Sequence, residues 1–483
     1  MATTFYWHDY ETWGTDPRRD RPCQFAGLRT DSELRPIGEP LVVYCRPTAD
    51  LLPQPDACLI TGITPQLADE KGLIEAEFAA AIVAELGAPN TCGVGFNSMR
   101  FDDEVTRNLL YRNLLDPYAR EWQNGNSRWD LIDTLRLAQA LRPDGIHWPL
   151  RDDGTASFRL EDLARANAIP HEGAHDALAD VQATIALAGL LRRAQPRLFD
   201  YALTLRDKQQ VRTLLDKGEP LLHASSRFPA AQGCIAPILA LATHPTNANE
   251  IICMDLRADP TLLLDLSTDE LRRRIFTPLA DLPLGTARVP LKSVHLNRAP
   301  VLAPMKTLSA EAAARWSIDL DQVTHATQIV KQHAAAIRER VQAAHQRPPG
   351  GARDQAETDP DLMLYAGGFF TDADRRRLEN LRGLTPDALS QGGFRFDDPR
   401  LPEMVFRYRA RNWPLTLTPD EREQWAAWRL TRLTDPAGGG SIDLDRYEER
   451  LAVLAQTHAA DPAKLRLIEA LAAWAETLMD AGE

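Results

Sequence analysis

The sequence predicts a layered α/β domain with a mixed sheet, followed by a smaller β-rich region and then an all-helical one. Three observations carry this. Residues 1–195 alternate strand-like and helix-like patterns, the signature of sheet and helix layers packed on each other. Residues 196–347 turn to short β-like runs separated by Pro and Gly. Past a Pro- and Gly-rich break at 348–361, residues 362–483 carry helical periodicity. A chain of 483 residues also exceeds what one hydrophobic core organises.

The elements of the first domain follow in order. Thr4 to about Tyr10 reads as a strand ending in a turn at Gly14, and Gln24 to Arg29 and Leu41 to Cys45 read as two more, joined by turn-rich Thr30 to Pro40. Pro53 to Thr64 is loop-like. Glu75 to Leu86 is an alanine-rich amphipathic helix, and Thr91 to Phe96 a short buried strand. Asn97 to Asp103 opens a helix running to about Leu115. Asp116 to Pro149 mixes helix with irregular structure, and helices follow at Arg159 to Ala168 and Ala177 to Arg193. Three strands, then helix, strand and helices, is the order of a ribonuclease-H-like layer.

In the middle region, Ile235 to Leu241, Ile251 to Leu256 and Val289 to Leu296 are the clearest strands, and one helical stretch runs from Ala310 to about Gln346. The last region places helices at Asp372 to Arg382, Pro419 to Leu433, Leu444 to Ala459 and Ala463 to Met479.

Composition narrows the class. At 44% hydrophobic and 25% charged, the chain has an ordinary soluble globular make-up. It has no run of about eighteen apolar residues and no basic-then-apolar leader, so a cytoplasmic protein without membrane contact is expected. The six cysteines are scattered with no C-x-x-C pair, which favours buried, reduced thiols over zinc or disulfides. The net charge of −13 argues against a general basic coat. A local basic groove remains compatible with it.

The chemistry gathers on acidic residues. In Tyr6-Trp7-His8-Asp9-Tyr10-Glu11-Thr12, residues two apart share a strand face, so Asp9 and Glu11 set two carboxylates side by side at a strand end. Like charges that close raise each other's pKa unless a cation compensates them, and oxygen ligands suit Mg²⁺ or Mn²⁺. Asp102, or Asp103, can cap its helix or face that pair. His175-Asp176-Ala177-Leu178-Ala179-Asp180 opens the longer helix, with Asp176 as N-cap and Asp180 in the first turns. From the preceding turn His175 reaches the same site as Asp180. Two metals about 4 Å apart need several carboxylates to hold them, and a non-ligating histidine can take a proton from an attacking water.

Asp9-x-Glu11, Asn97-(x)3-Phe101-Asp102 and His175-(x)4-Asp180 resemble, in order and spacing, the motifs of the DEDDh exonuclease superfamily. The resemblance extends to the bacterial exonuclease I family through His8 to Thr12, Leu59 to Pro65, Arg100 to Asn108, Asn126 to Asp130, Pro196 to Tyr201 and Tyr408 to Asn412. It implies metal-dependent 3′→5′ hydrolysis of single-stranded DNA to 5′-mononucleotides, processive and in the service of repair and recombination. Asp9, Glu11, Asp102 and Asp180 would hold two Mg²⁺ ions, which Mn²⁺ can replace, and His175 would be the base. An SH3-like middle domain and a helical C-terminal domain would complete a C-shaped, monomeric clamp. The single-stranded DNA-binding protein is an implied partner.

For the strand's path, arginines alternate with aromatics between Arg100 and Arg159, including Tyr111, Tyr118 and Trp122, and such residues pair with phosphates and stack on bases. Arg107, Arg128 and Arg159 lie in the shared motifs, and Thr12, beside Glu11, would hold the terminal nucleotide through its backbone. DNA rather than RNA rests on the resemblance alone. A DEDDh exoribonuclease and a non-catalytic single-strand-binding scaffold are the alternatives. The nearly 300 residues after Arg193 disfavour the first, and the intact set of motif carboxylates disfavours the second.

Overall fold

The computed structural model describes residues 3–171, 176–346 and 357–480. The chain divides into two compact units: residues 1–127 with 172–182 and 353–483, and residues 128–171 with 183–352.

In the first unit, β1 (Thr4–Thr12) is flanked by β2 (Pro22–Thr30) and β4 (Thr91–Gly95), and β3 (Leu41–Tyr44) lies outside β2. β1 runs antiparallel to β2 and parallel to β4, so the sheet is mixed. Its alternation sorts the side chains. Tyr6 and Tyr10 join Phe25 in a core with Phe78, Ile82 and Leu86 of α3 (Glu75–Leu86) and with Val105 and Leu109 of α4 (Asp102–Arg112). Phe78, Ile82 and Leu86 recur every four residues, the stripe a helix needs to cover a sheet. Asp9 and Glu11 fall on the opposite face of β1.

The loop-like reading of Pro53 to Thr64 is corrected by α1 (Pro55–Thr61). Its signals were local: Pro55 stands at the first helical position, and Gly62 closes the helix in the left-handed region at φ 72°. α2 (Pro65–Lys71) follows, capped by Thr64, whose hydroxyl accepts from the Leu67 amide at 3.2 Å.

The C-terminal helices at Leu401–Asn412, Pro419–Thr434, Leu444–Thr457 and Pro462–Asp480 belong to this same unit. The first of them has no clear apolar stripe in the sequence, because arginines occupy its buried face. Leu433, Tyr447, Leu471 and Leu478 share a core with Trp13, Cys58 and Ile63. Beside it runs a buried ionic network. Asp50 accepts from Arg21 at 2.6 and 2.8 Å and from Arg411 at 3.1 Å. Arg411 and Arg407 both reach Asp361, at 2.5 and 3.1 Å. The Arg407 guanidinium lies 4.0 Å from the centre of the Trp428 ring, a cation–π contact. Asp361 is the last residue of the 348–361 linker, most of which lies outside the described residues.

The chain also forms β5 (Ser127–Asp130), α5 (Leu131–Leu141), α6 (Leu160–Ala166) and α7 (Ala177–Ala194). The second unit is built on a five-stranded antiparallel sheet in the order Val301–Pro304, Leu221–Ala224, Ile235–His244, Asn247–Asp255, Leu291–His295. The single helical stretch expected over Ala310 to Gln346 is three helices, Ala310–Arg315, Leu320–Gln332 and Ala334–His345. Asp319 restarts the second by accepting from the Asp321 and Gln322 amides. All six cysteines are buried and outside any disulfide. Among the described residues no helix is long and apolar enough to cross a membrane.

Candidate active site

The site forms because β1 outruns its parallel neighbour. β4 pairs with β1 only as far as Trp7 opposite Val94, so beyond that point β1 has no strand partner on that side among the described residues. α4 fills the place. The Tyr10 amide donates to Asp102 Oδ1 at 3.3 Å, so Asp102 meets the sheet and does not cap its own helix. The N-cap is Phe101, which makes no side-chain cap. Asp102 takes the first helical position, where the helix dipole favours a negative charge.

The fourth carboxylate arrives on α7. The Asp176 side chain accepts from the Leu178 and Ala179 amides, each at 3.2 Å, capping the helix as the sequence suggests. The Ala177 amide donates to Gln24 Oε1 at 3.3 Å. Gln24 stands opposite Glu11 in the β1–β2 register, so the two side chains share a face. This contact sets the first turn of α7 against the acidic face of β1. One carboxylate oxygen from each of Asp9, Glu11 and Asp180 then lies within 4.8 Å of the others.

The electrostatics follow from that crowding. Burial, then Asp102, Asp180 and Glu11, drive the Asp9 carboxyl well above the ordinary carboxylate range. Burial, then Asp180 and Asp102, push Glu11 up to about 8. Such an arrangement is costly for the protein alone and is relieved by a divalent cation among the oxygens. The donor set is all-oxygen and anionic, which fits a hard divalent ion.

β1 ends where it must for this. Thr12 Oγ1 donates to the Gly14 carbonyl at 2.6 Å, tightening the turn. A Cβ on Gly14 would fall 2.2 Å from Asp20 Oδ2, so a larger residue there would have to displace that carboxylate. Thr12 therefore stands beside Glu11 with its hydroxyl already committed.

The arginines separate. Arg107 is 4% exposed, and its guanidinium is held by Glu121 at 2.7 and 3.0 Å, Glu104 at 2.6 Å and the Tyr365 hydroxyl at 3.2 Å. Two carboxylates therefore already pair with the Arg107 guanidinium. Arg128 and Arg159 belong to the second unit. Arg128 is buried and donates to the Asn297 carbonyl at 2.9 Å. Arg159 is exposed at the start of α6. His175 lies outside the described residues.

Gln24, Tyr10 and Thr106 were missed by the sequence reading. A lone glutamine inside the apolar run Pro22–Leu28 was the available signal for the first, and the structure buries it. Thr106 Oγ1 lies 2.7 Å from the Asp102 carbonyl and 3.0 Å from the Tyr10 hydroxyl. The carbonyl can only accept, so the threonine proton goes there and the phenol supplies the second bond. Tyr10 thus grips Asp102 from its amide and, through Thr106, from its ring. Tyr10→Phe is expected to weaken Mn²⁺ binding roughly tenfold, the usual worth of such an outer partner. Calorimetric titration without DNA checks this, and wild-type affinity would show that the amide alone suffices.

Three family models match: Exonuclease over residues 6–188, Exonuclease I SH3-like domain over 206–347 and Exonuclease I C-terminal domain over 358–478. The carboxylate cluster falls inside the first, and together they define a hydrolytic exonuclease. Exodeoxyribonuclease I of Escherichia coli is 46% identical over 482 residues, covering 99% of each chain. A moderately thermophilic exonuclease I from Methylocaldum szegediense superposes with a TM-score of 0.92 at 50% identity, over 99% of this chain and 100% of that one. The zinc-bound form of the Escherichia coli exonuclease I complex with single-stranded DNA superposes at 0.91 and 45% identity, with the same coverage. The chain belongs to the exodeoxyribonuclease I family.

Proposed function

We propose that this chain removes 5′-mononucleotides from the 3′ end of single-stranded DNA, the substrate of its family, at the Asp9, Glu11, Asp102 and Asp180 cluster with two Mg²⁺ ions. The observation that carries it is the meeting of three carboxylates within 4.8 Å, with Asp102 close enough to raise the Asp9 pKa. When bound, such ions lower the pKa of a water and stabilise the leaving oxygen. The protein's own part is to hold the oxygen donors in place. β1 supplies Asp9 and Glu11, and the Tyr10 amide fixes Asp102. Gln24 seats the helix that carries Asp180. Burial of the cluster keeps bulk water from screening these charges.

His175 immediately precedes Asp176 in the chain, and we assign it as the base that takes the proton of the attacking water. His175→Ala is expected to lower the single-turnover rate by about 10²–10⁴-fold. The variant should also lose the rising limb of the wild-type pH profile near the histidine pKa. A variant with the wild-type rate and profile would remove His175 from the mechanism.

Arg107, Arg128 and Arg159 are the arginines we assign to phosphate contact, and the Thr12 backbone to the terminal nucleotide. Domain limits of 1–195, 196–347 and 362–483 are part of this reading. Reduced, buried cysteines support a cytoplasmic setting. A monomer, a role in repair and recombination, and docking of the single-stranded DNA-binding protein rest on the family resemblance.

A further inference from the structure

α4 carries Asp102 in its first turn, yet Phe101 at its N-cap makes no side-chain cap. A helix entered without a cap frays first at its leading turn. Asn97, just upstream, stands in the left-handed region at φ 65°. The place at which α4 begins therefore depends on tertiary contacts. One is the Tyr10 amide on Asp102. Another is made by the next residue, since successive helix positions point about 100° apart. Asp103 Oδ1 accepts from Arg120 Nη2 at 2.6 Å. Both side chains of this pair are 2% exposed.

Arg120 belongs to the single turn Ala119–Glu121, and its neighbour Glu121 grips α4 one turn further along. Glu121 accepts from Arg107 at 2.7 and 3.0 Å. Asp103 and Arg107 are four residues apart and share one face of α4. Two consecutive residues of the turn thus meet two successive rungs of the helix with the signs reversed. That polarity fixes the register. A slip of α4 by one turn, about 5.4 Å, would bring Arg107 to Arg120 in one direction and Asp103 to Glu121 in the other. Like charges meet in both cases, and burial strengthens their repulsion. On β1, His8 is also buried, and burial, then the Arg120 charge, lowers its pKa to about 4. His8 is therefore neutral at pH 7 and leaves Asp103 to the arginine.

We propose that Arg120, acting through Asp103, is a positioning residue for the metal ligand Asp102. It holds the first turn of α4 at the register in which the Asp102 carboxylate meets the Tyr10 amide and the other acids of the cluster. This inference rests on the proposed function, because it takes Asp102 to bind a cation. An ion pair that served the fold alone would add stability and leave cation affinity untouched, so the two roles separate in measurement.

The test is calorimetric titration of Mn²⁺ into the full chain without DNA, for wild type, Arg120→Met and Asp50→Ala. Methionine keeps an unbranched apolar stem and removes the charge. Arg120→Met is expected to bind Mn²⁺ roughly 10- to 100-fold more weakly than wild type, the usual effect of losing an outer partner of a metal ligand. Asp50→Ala, which breaks a different buried ionic network, should keep wild-type affinity. All are compared at a temperature at which circular dichroism shows each folded. Where Arg120→Met does not fold, Asp103→Asn/Arg120→Met leaves no unpaired buried charge and carries the same prediction. Wild-type affinity in the Arg120 variant would overturn the positioning role. An equal loss in Asp50→Ala would also overturn it, since affinity would then follow stability. Wild-type protein that binds no Mn²⁺ would instead overturn the proposed function.

Discussion

Asp9→Ala or Asp180→Ala is expected to abolish strand hydrolysis while single-stranded DNA still binds. Each residue contributes an oxygen to the three-carboxylate cluster, and a metal-held site supplies several kcal/mol of transition-state stabilisation. At 1.36 kcal/mol per tenfold, the loss in rate should be at least about 10³-fold. Binding by filter retention in EDTA should stay within a few-fold of wild type, because these side chains repel phosphates when no cation is present. The same repulsion supplies a control for misfolding. Removing one of several crowded, buried carboxylates relieves like-charge strain. In EDTA, either variant should therefore unfold at or above the wild-type temperature. Wild-type turnover by purified Asp180→Ala protein would end the metal-site account. A large drop in unfolding temperature would show instead that Asp180 is structural.

The largest expected effect on stability lies elsewhere, at Asp50. Its carboxylate is buried, with Arg21 and Arg411 on its oxygens and Arg432 3.8 Å away. Asp50→Ala leaves those buried guanidinium groups short of their shared counter-charge. Breaking a buried pair from one side costs about 3–5 kcal/mol, a substantial part of ordinary domain stability. Urea unfolding of wild type and variant measures the difference. A change within 0.5 kcal/mol, the order seen at inert surface positions, would show that the arginines find other partners.

The same site sets an acid response. Burial opposes ionisation of Asp50, but Arg21 and Arg411 outweigh it and hold the carboxyl well below the usual range. The unfolded state then binds the proton more readily than the folded one. The contribution of Asp50 is present above the unfolded carboxylate pKa of about 3.9, and it is lost as pH falls towards the folded value. Wild-type stability should fall below about pH 4 more steeply than that of Asp50→Ala. Parallel pH profiles would contradict this.

How much could be read from the chain depended on the range of the physics involved. Strand β1 and helix α3 are legible because their periodicity is local and one face is buried. The pairing of Asp9 with Glu11 followed from strand alternation alone, and Asp176 announced itself as a cap. What could not be read is what one element does to another. Asp102 is equally good as a cap or as a partner for β1, and only the early end of β4 decides between them. The partners of Arg107 were out of reach because Glu121 and Tyr365, which engage it, are 14 and 258 residues away in sequence. Gln24 likewise becomes meaningful only when its register opposite Glu11 is known. The helix Leu401–Asn412 escaped because its buried face includes Arg407, Arg409 and Arg411. Its solvation comes from distant aspartates and a tryptophan ring, so no apolar stripe marks it.

The central claim is hydrolysis of single-stranded DNA from its 3′ end at a metal-loaded carboxylate cluster. It is tested most directly with matched DNA and RNA single strands labelled at the 5′ end, incubated with the protein in Mg²⁺ or in EDTA. The account predicts a ladder that shortens from the 3′ end, on DNA, in Mg²⁺ and not in EDTA. Cleavage that persists in EDTA, preferential loss of the RNA, or tight binding of DNA without cleavage in Mg²⁺ would each contradict it.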